Sequence, residues 1–70
     1  MAETTIEDYK KGIVEYIDKW KLELAHEDKR KDYLYEAISL ANRLADFDHK
    51  YMGMRLSDLY EQLKGELNND

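Results

Sequence analysis

The sequence predicts an all-α fold: a three-helix arrangement of two longer antiparallel helices plus a short C-terminal helix, standing alone or as a homodimeric helical bundle. Three observations predict it. There is no proline, and Leu, Lys, Glu and Ala dominate, while valine occurs only at Val14, a composition that favours helix over strand. Apolar residues recur at steps of three and four, the period of one helical face. Two stretches interrupt that period, a charged run at 26–32 and the surroundings of Gly53.

The first helix is expected over about 5–26. Thr5 is placed to cap the free amides, with Asp8 three residues on as an acidic variant of the capping box. Ile6, Tyr9, Ile13, Tyr16, Ile17, Trp20 and Leu24 share one face. Glu7 with Lys11, and Glu15 with Lys19, are pairs in the favourable order. Gly12, inside this helix, costs about 1 kcal/mol relative to alanine. It reads either as a close crossing by another element or as a tolerated surface defect.

His26–Asp32 contains no apolar residue. It reads as a turn with Asp28 or Asp32 as the next N-cap; the alternative is one unbroken charged rod. The turn is preferred, because a short chain must fold back to bury its stripes. The second helix, expected over about 29–50, carries Tyr33, Leu34, Ala37, Ile38, Leu40, Ala41, Leu44, Ala45, Phe47 and Tyr51. Its apolar face is wider than that of the first helix, so the second helix is expected to be central. Residues 49–54 form the second turn. Ser57 is then the N-cap of a third helix over about 57–66, with Leu56, Leu59, Tyr60, Leu63 and Leu67 as its stripe and Leu56, in front of the cap, placed to staple onto the first turn. Gly65 reads as a C-cap or fray point, and residues 67–70 as a disordered tail.

Seventy residues make one domain at most. Chains this small bury only about 60% of the surface they expose when unfolded and usually need a disulfide, a metal or a partner chain. Cysteine is absent, which excludes disulfides and thiolate metal sites and leaves a partner, either a second copy or another protein. No apolar run reaches membrane-spanning length, and Met1–Thr5 is not a secretory signal, so a cytoplasmic protein is expected. The net charge of −5, from sixteen acidic against eleven basic residues, disfavours nucleic acid and anionic membrane as partners.

Little in the chain suggests chemistry. The two histidines, His26 and His49, are expected at the C-terminal ends of the first and second helices, roughly 30 Å apart at opposite ends of the bundle. Asp46, Asp48 and His49 make a D-x-D-H cluster that suits a solvated helix end better than a metal site. Ser57 is explained as a cap, and Ser39 has no histidine near it in sequence. The glycines are isolated, so no phosphate loop is present. Catalytic residues, cofactors, metals and a small-molecule substrate are therefore not expected. Residues 55–63 are similar to the first helix of a helix-turn-helix, but within this sequence no recognition helix follows. The one basic run, Lys29-Arg30-Lys31, is flanked by Glu27, Asp28 and Asp32.

Tyr9, Tyr16, Trp20, Tyr33, Phe47 and Tyr60 fall on the core stripes or their edges. Leu22 and Tyr35 fall outside the stripes. Together with Val14 and the turn residues Met52 and Met54, they are the expected partner-binding surface. The reading is a non-enzymatic acidic helical protein that binds another protein, as a regulator, inhibitor or immunity-type factor. The alternative is an acidic decoy of nucleic-acid-binding machinery, a DNA mimic or anti-defence inhibitor. Against that alternative, Lys10, Lys11, Lys19 and Lys21 interrupt the acids of the first helix.

Overall fold

The computed structural model describes residues 6–68. Three helices, α1 (Ile6–Leu22), α2 (Glu27–Phe47) and α3 (Leu56–Asn68), follow one another, with a 3-10 turn, η1 (His49–Tyr51), between α2 and α3. The expected all-α arrangement is what the chain forms. Thr5, the expected first cap, lies outside the described residues.

The α1–α2 turn is shorter than the charged run suggested. The Glu23 carboxylate accepts from the backbone amides of Ala25 (3.2 Å) and His26 (3.1 Å), and its Oε1 lies 3.1 Å from His26 Nδ1. These contacts satisfy donors outside either helix and end α1 at Leu22, four residues earlier than expected. His26, in extended backbone, is the N-cap of α2, so the caps expected at Asp28 and Asp32 are not used. His26 thus stands at the start of α2 rather than at the end of α1. Glu27 and Asp28 occupy the first turn, where carboxylates complement the dipole.

α2 stops at Phe47 because Asp48 turns extended. Its amide still closes onto Leu44 O (2.9 Å), while its carboxylate accepts from the Lys50 amide (3.2 Å) and starts η1. Gly53 follows with φ 78°, a backbone conformation that favours glycine. α3 begins one residue before the expected cap. The Leu59 amide bonds Arg55 O (2.8 Å), and Leu56 enters the first turn and packs against the core. Ser57 is therefore inside α3, not its cap. Gly65 neither caps nor ends α3; the helix runs through it, and Leu67 and Asn68 belong to the last turn rather than to a tail.

Ile13, Ile17, Ala37, Leu44, Tyr51, Leu59, Tyr60 and Leu63 form the buried core. α1, not α2, is the central element: it packs along α2 and also carries α3, which at most grazes α2. The face of α1 toward α3 is partly polar. Lys10 bonds Glu66 (2.8 Å) and Asp18 accepts from the Tyr60 hydroxyl (2.5 Å). Val14 also packs against the core. At Gly12 the α1–α2 crossing is tight, with Leu40 Cδ1 2.9 Å from where a Cβ would stand. The close-crossing reading of Gly12 is the one the packing shows.

No disulfide braces the chain; long cationic side chains lie over its aromatic rings instead. Arg30 lies over Trp20, Lys21 and Lys64 over Tyr60, Lys19 over Tyr16 and Tyr33, and Lys10 and Lys50 over Tyr51. Such contacts contribute about 0.5–1 kcal/mol each at exposed sites. They also let alkyl stems cover ring surface that a small core cannot. Phe47 differs from the expected core role: it is exposed and stacks on Tyr9 with ring centroids 5.5 Å apart.

Candidate functional site

Because α3 rests on α1 and leaves α2, a cleft opens between α2 and α3 with α1 as its floor. Ile17, Trp20 and Lys21 come from α1, Leu34 from α2, and Leu56, Ser57, Asp58, Tyr60 and Glu61 from α3. The cleft encloses about 270 Å³, slightly below the range of drug-sized pockets and mostly apolar, as such pockets are. Two other hollows are larger but more open, and a larger share of their lining residues is charged. One lies among Ile6, Glu7, Lys10, Glu66 and Leu67, another among His26, Glu27, Asp28 and Lys29.

Each aromatic wall of the cleft is held in place. The Arg30 guanidinium sits 4.8 Å from the Trp20 ring centre, and its Nε donates to Trp20 O (3.3 Å). Tyr60 donates its hydroxyl proton to Asp18 and receives a contact from Lys64 Nζ (3.3 Å), while Lys21 Nζ lies 4.1 Å from its ring centre. The bond to Asp18, with burial, raises the Tyr60 pKa above its ordinary value, so the phenol stays protonated and donating. The bond to Tyr60 in turn raises that of Lys64.

A second polar cluster fixes the other end of α3. The Glu66 carboxylate accepts from Lys10, from the Tyr51 hydroxyl (2.6 Å) and from Gln62 (2.7 Å), with Lys50 at 3.8 Å. These partners, Lys10 first and Tyr51 second, hold its pKa down to about 2. The cluster ties α1, η1 and α3 together and keeps the cleft's third wall in position.

The five residues expected to form a partner surface differ in exposure. Leu22 (83% exposed), Tyr35 (65%) and Met52 (56%) are outward-facing, but Val14 and Met54 are half-buried and packed on the core. Leu22 shares a shallow depression with Lys19, Glu23 and Tyr33. Tyr35 lies two residues past Tyr33, about 200° around α2, and so points elsewhere.

The remaining candidates have structural roles. Asp48 caps η1. His26 and His49 are separated by the whole of α2, about 30 Å of helix. Lys29-Arg30-Lys31 is helical rather than a loop, and Arg30 is turned in onto Trp20. Among the described residues no three His, Asp or Glu side chains converge as metal ligands, and no helix is long and apolar enough to cross a membrane. The sequence carries no sign of the cleft, since Trp20, Leu34 and Leu56 each fall on the stripe of a separate helix. Compared with known protein families, curated proteins and solved structures, the chain matches none.

Proposed function

We propose that this chain is a non-catalytic helical module that binds another protein through the α2–α3 cleft, as a regulator, inhibitor or immunity-type factor. One observation carries the reading: Trp20, Leu34 and Leu56 converge from three helices on an open apolar cleft. An anchor side chain of a partner would be desolvated there against an aromatic wall, the setting in which interface hot spots occur. Of the polar groups lining the cleft, Tyr60 is committed to Asp18 and Lys64 outside it. The acidic-decoy reading has less support. Asp28, Asp32 and Asp46 are exposed on α2, but Lys29, Lys31 and Arg43 are exposed among them.

The test is capture from a lysate of the native host with three baits: the unaltered chain, Leu34→Glu, and the double variant Leu22→Ser/Tyr35→Ser, each shown helical by circular dichroism. The reading expects a partner retained by the unaltered chain and by the double variant but lost with Leu34→Glu. A partner that Leu34→Glu retains and the double variant loses would move the binding surface off the cleft.

A further inference from the structure

We infer that α3 is a hinged arm: it swings off the α1–α2 hairpin as one unit about residues 52–55, latched by Glu66, while the hairpin stays folded. The two interfaces of α1 differ in kind. Toward α2 the seam is closed from Tyr9 to Trp20. Tyr9 stacks on Phe47 (5.5 Å between ring centres), Leu40 Cδ1 stands 2.9 Å from the place of a Gly12 Cβ, Tyr16 faces Tyr33 (6.3 Å), and Arg30 covers Trp20 (4.8 Å). Glu23 fixes the turn that joins the two helices. None of these contacts includes a residue of α3, so each of them survives its departure.

Toward α3 the interface is shorter. Leu59, Tyr60 and Leu63 are its buried side chains, and α3 at most grazes α2. Elements with few buried apolar contacts are those that open first. Two polar ties cross the interface: Tyr60 to Asp18, and Glu66 to Lys10 and Tyr51. Glu66 is the latch, since one carboxylate joins the far end of the arm to both α1 and η1. η1 stays behind, because its backbone bonds run to Asp48 and His49 and it packs on α2. Between η1 and α3 the chain is extended at Met52 and turns through Gly53, at φ 78° with nothing within 4 Å of the place of a Cβ. Met52, Gly53 and Arg55 are exposed. Rotation there repacks little beyond the half-buried Met54 and Leu56. The arm carries one wall of the cleft, so the cleft exists only while the arm is down.

Amide hydrogen exchange, read residue by residue by NMR on the full chain, is the test. A substitution speeds exchange through an opening only if the opened state has lost the contact that the substitution removes. Tyr33→Ala removes a seam contact and Glu66→Gln the latch, each variant being shown helical by circular dichroism. In the unaltered chain the amides of Tyr60, Leu63 and Lys64 should exchange as a group, faster than those of Ile13, Ile17, Ala37 and Leu44. Their dependence on denaturant should be weaker, because swinging out exposes less surface than unfolding. Tyr33→Ala should speed the hairpin amides roughly tenfold and the α3 amides by less than about twofold. Glu66→Gln should speed both sets roughly tenfold, because the latch is lost in the opened and the unfolded state alike.

Amides of α3 that share the rate and denaturant dependence of the hairpin amides, or that Tyr33→Ala speeds equally, mean that arm and hairpin unfold together and overturn the inference. Protection that rises step by step from Asn68 to Leu59 means fraying of a helix end and overturns it too. If Tyr33→Ala does not fold, the denaturant series on the unaltered chain decides alone.

Discussion

The guanidinium carbon of Arg30 lies 4.8 Å from the Trp20 ring centre while its Nε donates to the Trp20 carbonyl at 3.3 Å. One side chain of α2 thereby holds both the ring and the last turn of α1, and with them the wall of the cleft.

Arg30→Ala is expected to destabilise the fold by about 1–2 kcal/mol, the sum of a cation–π contact and one hydrogen bond, and to move Trp20 emission to the red. Arg30→Lys should recover only part of this, since an ammonium has no planar face and no Nε donor. Chemical denaturation followed by Trp20 fluorescence checks both. An unchanged midpoint in Arg30→Ala would mean that the stack contributes nothing.

Glu66 contributes to the acid limit of the fold. Its folded pKa is about 2 against an ordinary 4.5. A depressed carboxylate pKa adds stability that is complete above the ordinary value and is lost as pH falls toward the folded one. The melting temperature should therefore drop between about pH 5 and pH 2. Glu66→Gln should cost about 1–3 kcal/mol at neutral pH and flatten that acid limb. Parallel acid limbs for the two proteins would contradict the assignment.

At the alkaline side the relevant group is Tyr60. Its pKa is raised, first by the bond to Asp18 and then by burial. The stability tied to it is full below the ordinary tyrosine value of about 10 and is lost as pH rises through the higher folded value. Ultraviolet absorbance titration should show one tyrosine ionising later than the rest. Asp18→Asn should bring that tyrosine back toward the others. Simultaneous titration of all six tyrosines would refute the Tyr60–Asp18 bond in solution.

The three glycines separate by mechanism. Gly65→Ala meets nothing within 4 Å and should stabilise α3 by about 0.5–1 kcal/mol. Gly53→Ala has room but a positive φ, and should cost about 1 kcal/mol. Gly12→Ala should be near neutral, because helix propensity gains what displacing the tip of Leu40 loses. Gly12→Leu should cost about 1–3 kcal/mol through overpacking against α2. Thermal melts of the four variants test the ranking, and a stabilising Gly12→Leu would overturn the close crossing.

The three helices were legible because Ile13, Ile17, Leu44, Leu59 and Leu63 repeat at helical spacing, and each is buried. The central helix was not. Counting only apolar residues made α2 look two-sided, whereas α1 reaches α3 through Lys10, Asp18 and Lys21, polar residues that such a count discards. Val14 looked off-stripe for the same reason. The α1–α2 turn begins earlier than the charged run implies because Glu23 accepts the turn's amides, and glutamate, not a usual capping residue, carries no such signal in the sequence. Exposure of Leu22 and Tyr35 could be read from their angle on a helix. The cleft could not, since it exists only through the relative placement of Trp20, Leu34 and Leu56.

Amide and indole NMR shifts recorded as the captured partner is added test the binding account most directly. The account expects the largest changes at the Trp20 indole, Leu34, Leu56, Ser57 and Glu61. Changes centred on Leu22, Tyr35 and Met52, with Trp20 and Leu56 unmoved, would contradict it.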